Sequence, residues 1–257
     1  MTLNDSEIEA EIAAGRLIEN ATIGGCTGAC YELRMGTVYY DLTENGKRFE
    51  LKPGEAALIK PGHRVVLITS EILRIPDNIL VRVVSKGALF SIGLSPVATY
   101  ADPGFHGNLG IVTQNISDKF IELPQGESIA KADFSRLARP VTHPYHGQHG
   151  FQVGIWPIKT HLQKTYCDVA EDPRVLSEQE EAFALLPVAT RTIIRRMETT
   201  QIWTLVAVFF ALIVNAAALF LISTDWIDQV WGIVGNLAAS GLIAIGTIFA
   251  NFVRRQP

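Results

Sequence analysis

Two long apolar runs near the C-terminus constrain the fold of this chain more than any other feature. Residues 203–223 and 230–253 contain no charged side chain. A helix needs about 20 apolar residues to cross the hydrocarbon core of a bilayer, and both runs reach that length. Helices buried in a soluble core usually carry a polar face, whereas these runs hold only scattered asparagines. We therefore predict two membrane-spanning helices rather than a buried helical hairpin.

The residues that flank the two runs predict their orientation. The link at 224–229 is short and acidic, so the two helices must run antiparallel. Arginines lie before the first run and after the second, namely Arg191, Arg195, Arg196, Arg254 and Arg255. Because positively charged flanks remain in the cytoplasm, we expect a multi-pass membrane protein with the preceding domain and both termini in the cytoplasm. Glycines of the second run allow close helix packing, either within one hairpin or between hairpins in a pore.

Composition excludes several classes of function. The formal net charge is −4, which argues against a cationic surface for nucleic acid. Hydrophobic residues make up 48% of the chain, so disorder is also excluded. Cys26 and Cys30 lack the second pair of ligands that a zinc site needs, and Cys167 stands alone. We expect three free thiols in a reducing compartment, with no metal and no cofactor.

The residues before the apolar runs predict a β-rich domain. A short helix over about 5–14 precedes β-branched runs that Gly, Pro and Asn turns separate, a pattern typical of a sandwich or barrel. The predicted strands are 37–42, 64–72, 79–84, 108–114, 120–123 and 128–134. A helical connector follows, in which Pro187 should kink or break the helix. The predicted domains are a β domain at 1–172, the connector at 173–202 and the membrane hairpin at 203–257.

Seven segments of the β domain resemble, in order, motifs of the dCTP deaminase and dUTPase superfamily. They are LNDSEIEAEIAAGRL at 3–17, CYELRMG at 30–36, LKPGE at 51–55, ILRIPD at 72–77, ADPGFHGNLGIVTQN at 101–115, PQGESIA at 124–130 and YHGQHG at 145–150. The resemblance implies a mainly β fold, a distorted jelly-roll barrel that is usually trimeric and binds nucleotides where subunits meet. In this chain a two-helix transmembrane hairpin follows the barrel.

The resemblance also implies a set of ligand-binding residues. Lys86 and Ser91 stand where the family has phosphate-binding arginines. Asp102 aligns with the aspartate that activates water in dUTPases, and Phe105 with the aromatic residue that stacks under deoxyribose. The predicted ligand-binding residues are Lys86, Ser91, Asp102, Phe105, His106, Tyr145, His146, Gln148 and His149. Plainer roles stay open, since Asp102 could cap its turn, Phe105 could belong to the core and the histidines could form a polar loop or hold a metal.

One departure from the family pattern bears on catalysis. Val112 occupies the position of the family's catalytic glutamate, and valine cannot activate water or move a proton. We therefore expect a non-catalytic, nucleotide-binding barrel.

The combination of barrel and hairpin resembles the two-transmembrane β-barrel effectors of Panoptes-type and other cyclic-oligonucleotide antiphage systems. This resemblance implies a homotrimer or larger homo-oligomer that binds a cyclic dinucleotide, depends on a nucleotide cyclase or polymerase, and controls membrane disruption. Whether the ligand activates or silences such an effector stays open. The alternatives are a membrane-tethered nucleotide hydrolase of dUTPase or dCTP deaminase type, and a non-catalytic membrane scaffold.

Overall fold

The chain divides into two compact units, Met1–Thr160 and His161–Pro257. The fold is given by a computed structural model, which describes residues 1–147, 151, 154–224, 228, 230–235, 237, 238 and 241. Each unit is considered by itself below.

The first unit is a curled antiparallel β structure with one short helix at its start. Helix α1 (Asp5–Ala13) begins with a capping box, in which the Asn4 side chain accepts from the Glu7 amide and the Glu7 carboxylate accepts from the Asn4 amide. The strands are β1 (Leu17–Glu19), β2 (Cys26–Thr27), β3 (Cys30–Asp41), β4 (Lys47–Glu50), β5 (Ala56–Ile59), β6 (Arg64–Arg74), β7 (Ile79–Ser85), β8 (Ala98–Ala101), β9 (His106–Gln114), β10 (Ile121–Pro124) and β11 (Ser128–Arg136). A single turn of helix, α2 (Gly87–Ser91), joins β7 to β8.

Long, bent strands let one sheet curl around a common core. The main sheet has the strand order β1-β6-β3-β11-β7-β8. Strand β9 also pairs with β6, and β2 and β4 also pair with β3. Strands β5 and β10 form a separate two-stranded sheet. The first half of β3 pairs with β11 and its second half with β6, and the register shifts between Met35 and Tyr39. A second shift lies between Ile68 and Ile72 where β6 meets β9. Such irregularities increase local twist and bend, so they fold the sheet over the core.

The predicted mainly β fold is confirmed, and all six predicted strands exist. The helix at the start was also predicted correctly, within one residue of its observed end. The strands that the sequence did not reveal are β1, β2, β4, β5 and β8, which have two to four residues each. Cys26, Cys30 and Cys167 are free thiols.

The second unit contains one helix of membrane-spanning length. After a short 3-10 turn (Thr160–Leu162) come α3 (Tyr166–Val169), α4 (Glu178–Ala184) and α5 (Val188–Ser223). Pro187 is the N-cap of α5, so the proline separates two helices as predicted. At 36 residues, α5 is long and apolar enough to cross a membrane, judged by length and composition.

The expected two-helix hairpin is not shown. Most of the second run, 230–253, lies outside the described residues. Within the part that is described, Gly232 lies against the side chain of Ile222 in α5. Among the described residues the structure therefore gives one membrane-length helix, and most of the second predicted helix lies outside them.

Candidate functional site

A glycine-dependent turn carries the first group of predicted site residues. Asp102, Pro103, Gly104 and Phe105 connect β8 to β9, and the Phe105 amide donates to the Asp102 carbonyl at 2.9 Å. Gly104 has φ +90°, and a Cβ on it would lie 2.9 Å from the Tyr145 backbone nitrogen. A side chain at this position is therefore excluded both by backbone conformation and by the close approach of the chain near Tyr145.

Phe105 and Tyr145 fix the segment after β11 against this turn. The Tyr145 amide donates to the Pro103 carbonyl at 2.8 Å, and the two rings lie 5.9 Å apart at a tilt of 40°. Phe105 is almost fully buried, so its ring belongs to the core. Asp102, His106 and His146 are exposed around this pair. Within the described part of the chain the Asp102 carboxylate accepts no hydrogen bond, so it is available to water or a ligand.

The second group of predicted residues surrounds helix α2. The Lys86 ammonium donates to Glu32 Oε2 at 2.8 Å, and Lys131 lies 3.7 Å from the other Glu32 oxygen. The hydrogen bond from Lys86 is the main cause that lowers the pKa of Glu32. Ser91 donates to the Ala88 carbonyl at 2.6 Å. A phosphate at Lys86 would therefore have to displace the Glu32 carboxylate.

The two groups lie at opposite ends of one strand pair. Lys86 follows the end of β7, whereas Asp102 follows the end of its antiparallel neighbour β8, and Val81 pairs with Ala101. Six residues of strand separate the two positions, which corresponds to about 20 Å. Within one chain the predicted residues therefore form two separate patches. The remaining two, Gln148 and His149, lie outside the described residues.

Val112 lies on the outer face of β9, and the chain's own later segment covers part of that face. In the register, Val112 pairs with Val66 and Gly110 with Ile68, so these four residues point to the same side. The ring of Trp156 lies directly on Gly110, where a Cβ would overlap it.

Residues 151 and 154–158, which we call the strap, are held on this face by polar and apolar contacts. The Tyr40 hydroxyl donates to the Gly154 carbonyl and accepts from the Trp156 amide, each at 3.3 Å. Phe151 and Trp156 pack on a cluster of Val38, Tyr40, Val66 and Ile68. Sequence reasoning missed the strap. The available signal was Gly110, because a glycine inside a strand often marks a close approach of other atoms.

A buried ion pair also escaped the sequence analysis. Glu71 is fully buried and accepts from Arg34 twice, from Nε at 2.6 Å and from the amide at 2.9 Å. The Asn108 side-chain amide donates to the carbonyls of Thr69 and Glu71, at 2.8 and 3.1 Å. These bonds satisfy backbone groups at the register shift of β6. The sequence feature that could have revealed this ion pair is Glu71 itself, the one charged residue within 65–73.

One cluster among the described residues has metal-ligand chemistry, and it is not the one considered from the sequence. Asp41, Glu44 and His63 place ligand atoms within 4.8 Å of one another. Asp41 accepts from His63 Nδ1 at 2.7 Å, and the Lys60 ammonium bonds to Glu44. The lysine supplies a cation, so the cluster is satisfied by the protein's own groups.

Comparison with known proteins identifies the first unit. The family model described as dCTP deaminase-like matches residues 2–137. A dCTP deaminase of Thermococcus kodakarensis is 32% identical over 149 residues, which are 58% of this chain and 92% of that relative. A dUMP-forming dCTP deaminase of Clavibacter michiganensis is 29% identical over 191 residues, or 66% of this chain and 95% of that relative. The crystal structure of a dCTP deaminase from Agrobacterium tumefaciens aligns with 52% of this chain and 47% of its own, at 14% identity and a TM-score of 0.45.

These relatives overturn one expectation. The expectation that the chain is not an enzyme, drawn from Val112, is wrong, because the chain matches nearly the whole length of relatives that are named as deaminases. One missing carboxylate does not by itself exclude catalysis, because other side chains can accept a proton from water. From residue 2 to residue 137 the chain belongs to the dCTP deaminase-like family.

Proposed function

We propose that this protein is a membrane-attached enzyme that acts on a pyrimidine deoxynucleoside triphosphate, by chemistry of the dCTP deaminase or dUTPase type. The observation that carries the proposal is the family match, which spans almost the entire β unit and joins it to relatives named for that chemistry. Helix α5, followed by the second apolar run, holds the β unit at the cytoplasmic face of a bacterial inner membrane.

In this proposal Asp102 is the general base. Attack of water on a pyrimidine ring carbon or on phosphorus requires a group that removes a proton from the water. The Asp102 carboxylate is exposed and accepts no hydrogen bond within the described residues. Its turn is fixed by Gly104 and by the contact of Phe105 with Tyr145, so the backbone that carries the carboxylate has a defined position. His106 and His146 are exposed beside it and can approach a phosphate.

The Lys86 patch completes the site from a second copy of the chain. Lys86 and Asp102 are about 20 Å apart within one chain, whereas the family resemblance implies nucleotide sites between subunits. On ligand binding the triphosphate takes the place of Glu32 as the partner of Lys86, because both present oxygen anions to the same ammonium. A homotrimer or larger homo-oligomer is therefore part of the proposal.

The test is turnover by the full-length chain in detergent or vesicles. Samples receive dCTP or dUTP with magnesium chloride, and mass spectrometry separates dUTP, dUMP and dCMP as products. We expect turnover of at least one substrate, and a fall of about 100-fold or more for Asp102→Asn, because general base catalysis contributes that much. Asp118→Asn is the matched control, since Asp118 is exposed on another loop. Absence of turnover in the parent protein, or equal activity of the two variants, contradicts the proposal.

A membrane effector that responds to a cyclic dinucleotide is the second candidate. It is favoured by one observation, the attachment of a nucleotide-type β unit to a helix of membrane-spanning length. The same vesicles, loaded with a fluorescent dye, test it. Dye release that changes on addition of a cyclic dinucleotide, without turnover of dCTP or dUTP, selects this candidate over the first.

A further inference from the structure

The corner between α4 and α5 encloses a cavity that no part of the nucleotide chemistry uses. Its volume is about 350 Å³, and it lies wholly within the second unit. Leu176 and Phe183 supply apolar walls. Four charged side chains also line it, namely Glu180, Arg191, Arg195 and Glu198.

Both arginines of this cavity lack an anionic partner. Arg191 Nε is buried and has no hydrogen-bond acceptor within the described residues. Unsatisfied buried donors are rare in folded proteins, so this one is available to an acceptor that enters the cavity. The guanidinium carbon of Arg195 lies 5.7 Å above the ring of Phe183, which holds it in place without neutralising it. Among the described residues neither arginine forms an ion pair.

The corner lies close to the level where α5 enters the membrane. Apolar sequence begins at Ile202, seven residues after Arg195, or about 10 Å along a helix axis. The polar layer of a bilayer extends about 5–8 Å beyond the hydrocarbon on each side, and arginine side chains are long enough to reach it. Between Arg195 and the start of the apolar stretch, the hydroxyls of Thr199 and Thr200 donate to helix carbonyls at 2.9 and 2.7 Å, so their hydrogen bonds are already satisfied.

We propose that the α4–α5 corner binds the head group of a zwitterionic phospholipid with a primary ammonium, such as phosphatidylethanolamine. The phosphodiester lies against Arg191 and Arg195, where two guanidinium groups can donate to its oxygens. The cavity carries two arginines and two glutamates, so its net charge matches a head group with its own cation. Glu180 is held by Ser177, whereas Glu198 is the carboxylate that receives the ammonium. The proposal rests on the membrane attachment proposed above, and it is independent of the reaction at Asp102.

The test measures lipid retention by the full-length chain in native mass spectrometry. Phosphatidylethanolamine, phosphatidylglycerol and phosphatidylcholine are titrated separately. We expect preference for phosphatidylethanolamine, a loss of its affinity of tenfold or more in the Arg191→Gln, Arg195→Gln double variant, and loss of the preference over phosphatidylglycerol in Glu198→Gln. Arg196→Gln is the matched control, because it removes the same charge one residue away from Arg195 without touching the cavity. Its affinity should equal that of the parent protein.

Three results overturn the proposal. If Arg196→Gln loses as much affinity for phosphatidylethanolamine as the double variant, general surface charge, and not the cavity, holds the lipid. Equal retention of the three lipids removes the head-group assignment. Competition by inorganic phosphate as effective as that by glycerophosphoethanolamine identifies a free phosphate as the ligand. Helical circular dichroism confirms that each variant is folded, and unchanged turnover of dCTP and dUTP separates a failure here from a failure of the proposed enzyme.

Discussion

Glu11 connects the first helix to the last strand of the β unit. Its carboxylate receives Arg16 Nε at 2.5 Å and Arg136 Nη2 at 2.7 Å. The hydrogen bond from Arg16 is the largest cause that lowers the pKa of Glu11. Burial opposes it as the next largest effect, and the hydrogen bond from Arg136 lowers the pKa further. A group with a lowered folded-state pKa stabilises the protein above its unfolded pKa, and the contribution disappears as the pH falls through the folded value.

Replacement of Glu11 should therefore make the free energy of unfolding less dependent on pH in the acid range. We expect Glu11→Gln to lower the free energy of unfolding by about 2 kcal/mol at pH 7, because hydrogen bonds to charged groups contribute that much. The difference from the parent protein should vanish at a pH below the folded pKa, where Glu11 is protonated. Urea unfolding across a pH series from pH 7 into the acid range measures this, with Glu9→Gln as an exposed control on the same helix. Similar losses in both variants at pH 7 would argue against the ion pairs.

At the scale of elements, the strap and strand β9 depend on each other through Gly110. A side chain at this position overlaps the ring of Trp156. We expect Gly110→Ala to lift the strap and to lower stability by about 1–3 kcal/mol, as overpacking does. In a background where Trp203, Trp226 and Trp231 are phenylalanine, Trp156 emission should shift to the red and be quenched more easily by acrylamide. Gly87→Ala, at a position with open space, is the control; an unshifted Trp156 spectrum in Gly110→Ala would refute the contact.

The same elements show what the sequence could and could not predict. Six strands were predictable because β-branched runs there are separated by Gly, Pro and Asn turns. The short strands β1, β2 and β4 exist only through pairing with long neighbours, so no local pattern marks them. The turn at Asp102 was predictable from its proline and glycine. The position of Trp156 was not predictable, because it depends on a contact with Gly110, which lies 46 residues earlier in the chain.

For the whole molecule, the membrane attachment that we propose depends on α5, which is long and apolar enough to span a bilayer. Leu212 lies near the middle of the apolar stretch and is exposed along the helix. An arginine at the centre of a spanning helix costs about 2.5–3.5 kcal/mol of insertion free energy. We expect Leu212→Arg to increase the fraction that alkaline carbonate extracts from membranes. Leu185→Arg, exposed at the corner outside the apolar stretch, should leave that fraction unchanged. Equal extraction of both variants would contradict a spanning role for α5.

The distance between the Lys86 and Asp102 patches has a consequence if the protein is attached to a membrane, as we propose. Neither patch reaches the other within a chain, so the proposed site requires neighbours. Confinement to a surface raises the effective concentration of such neighbours without any new contact. A weak interface between copies then suffices, and the output of each molecule depends on the surface density of the protein rather than on its total amount. Expression level and membrane area together would set the threshold at which the population becomes active.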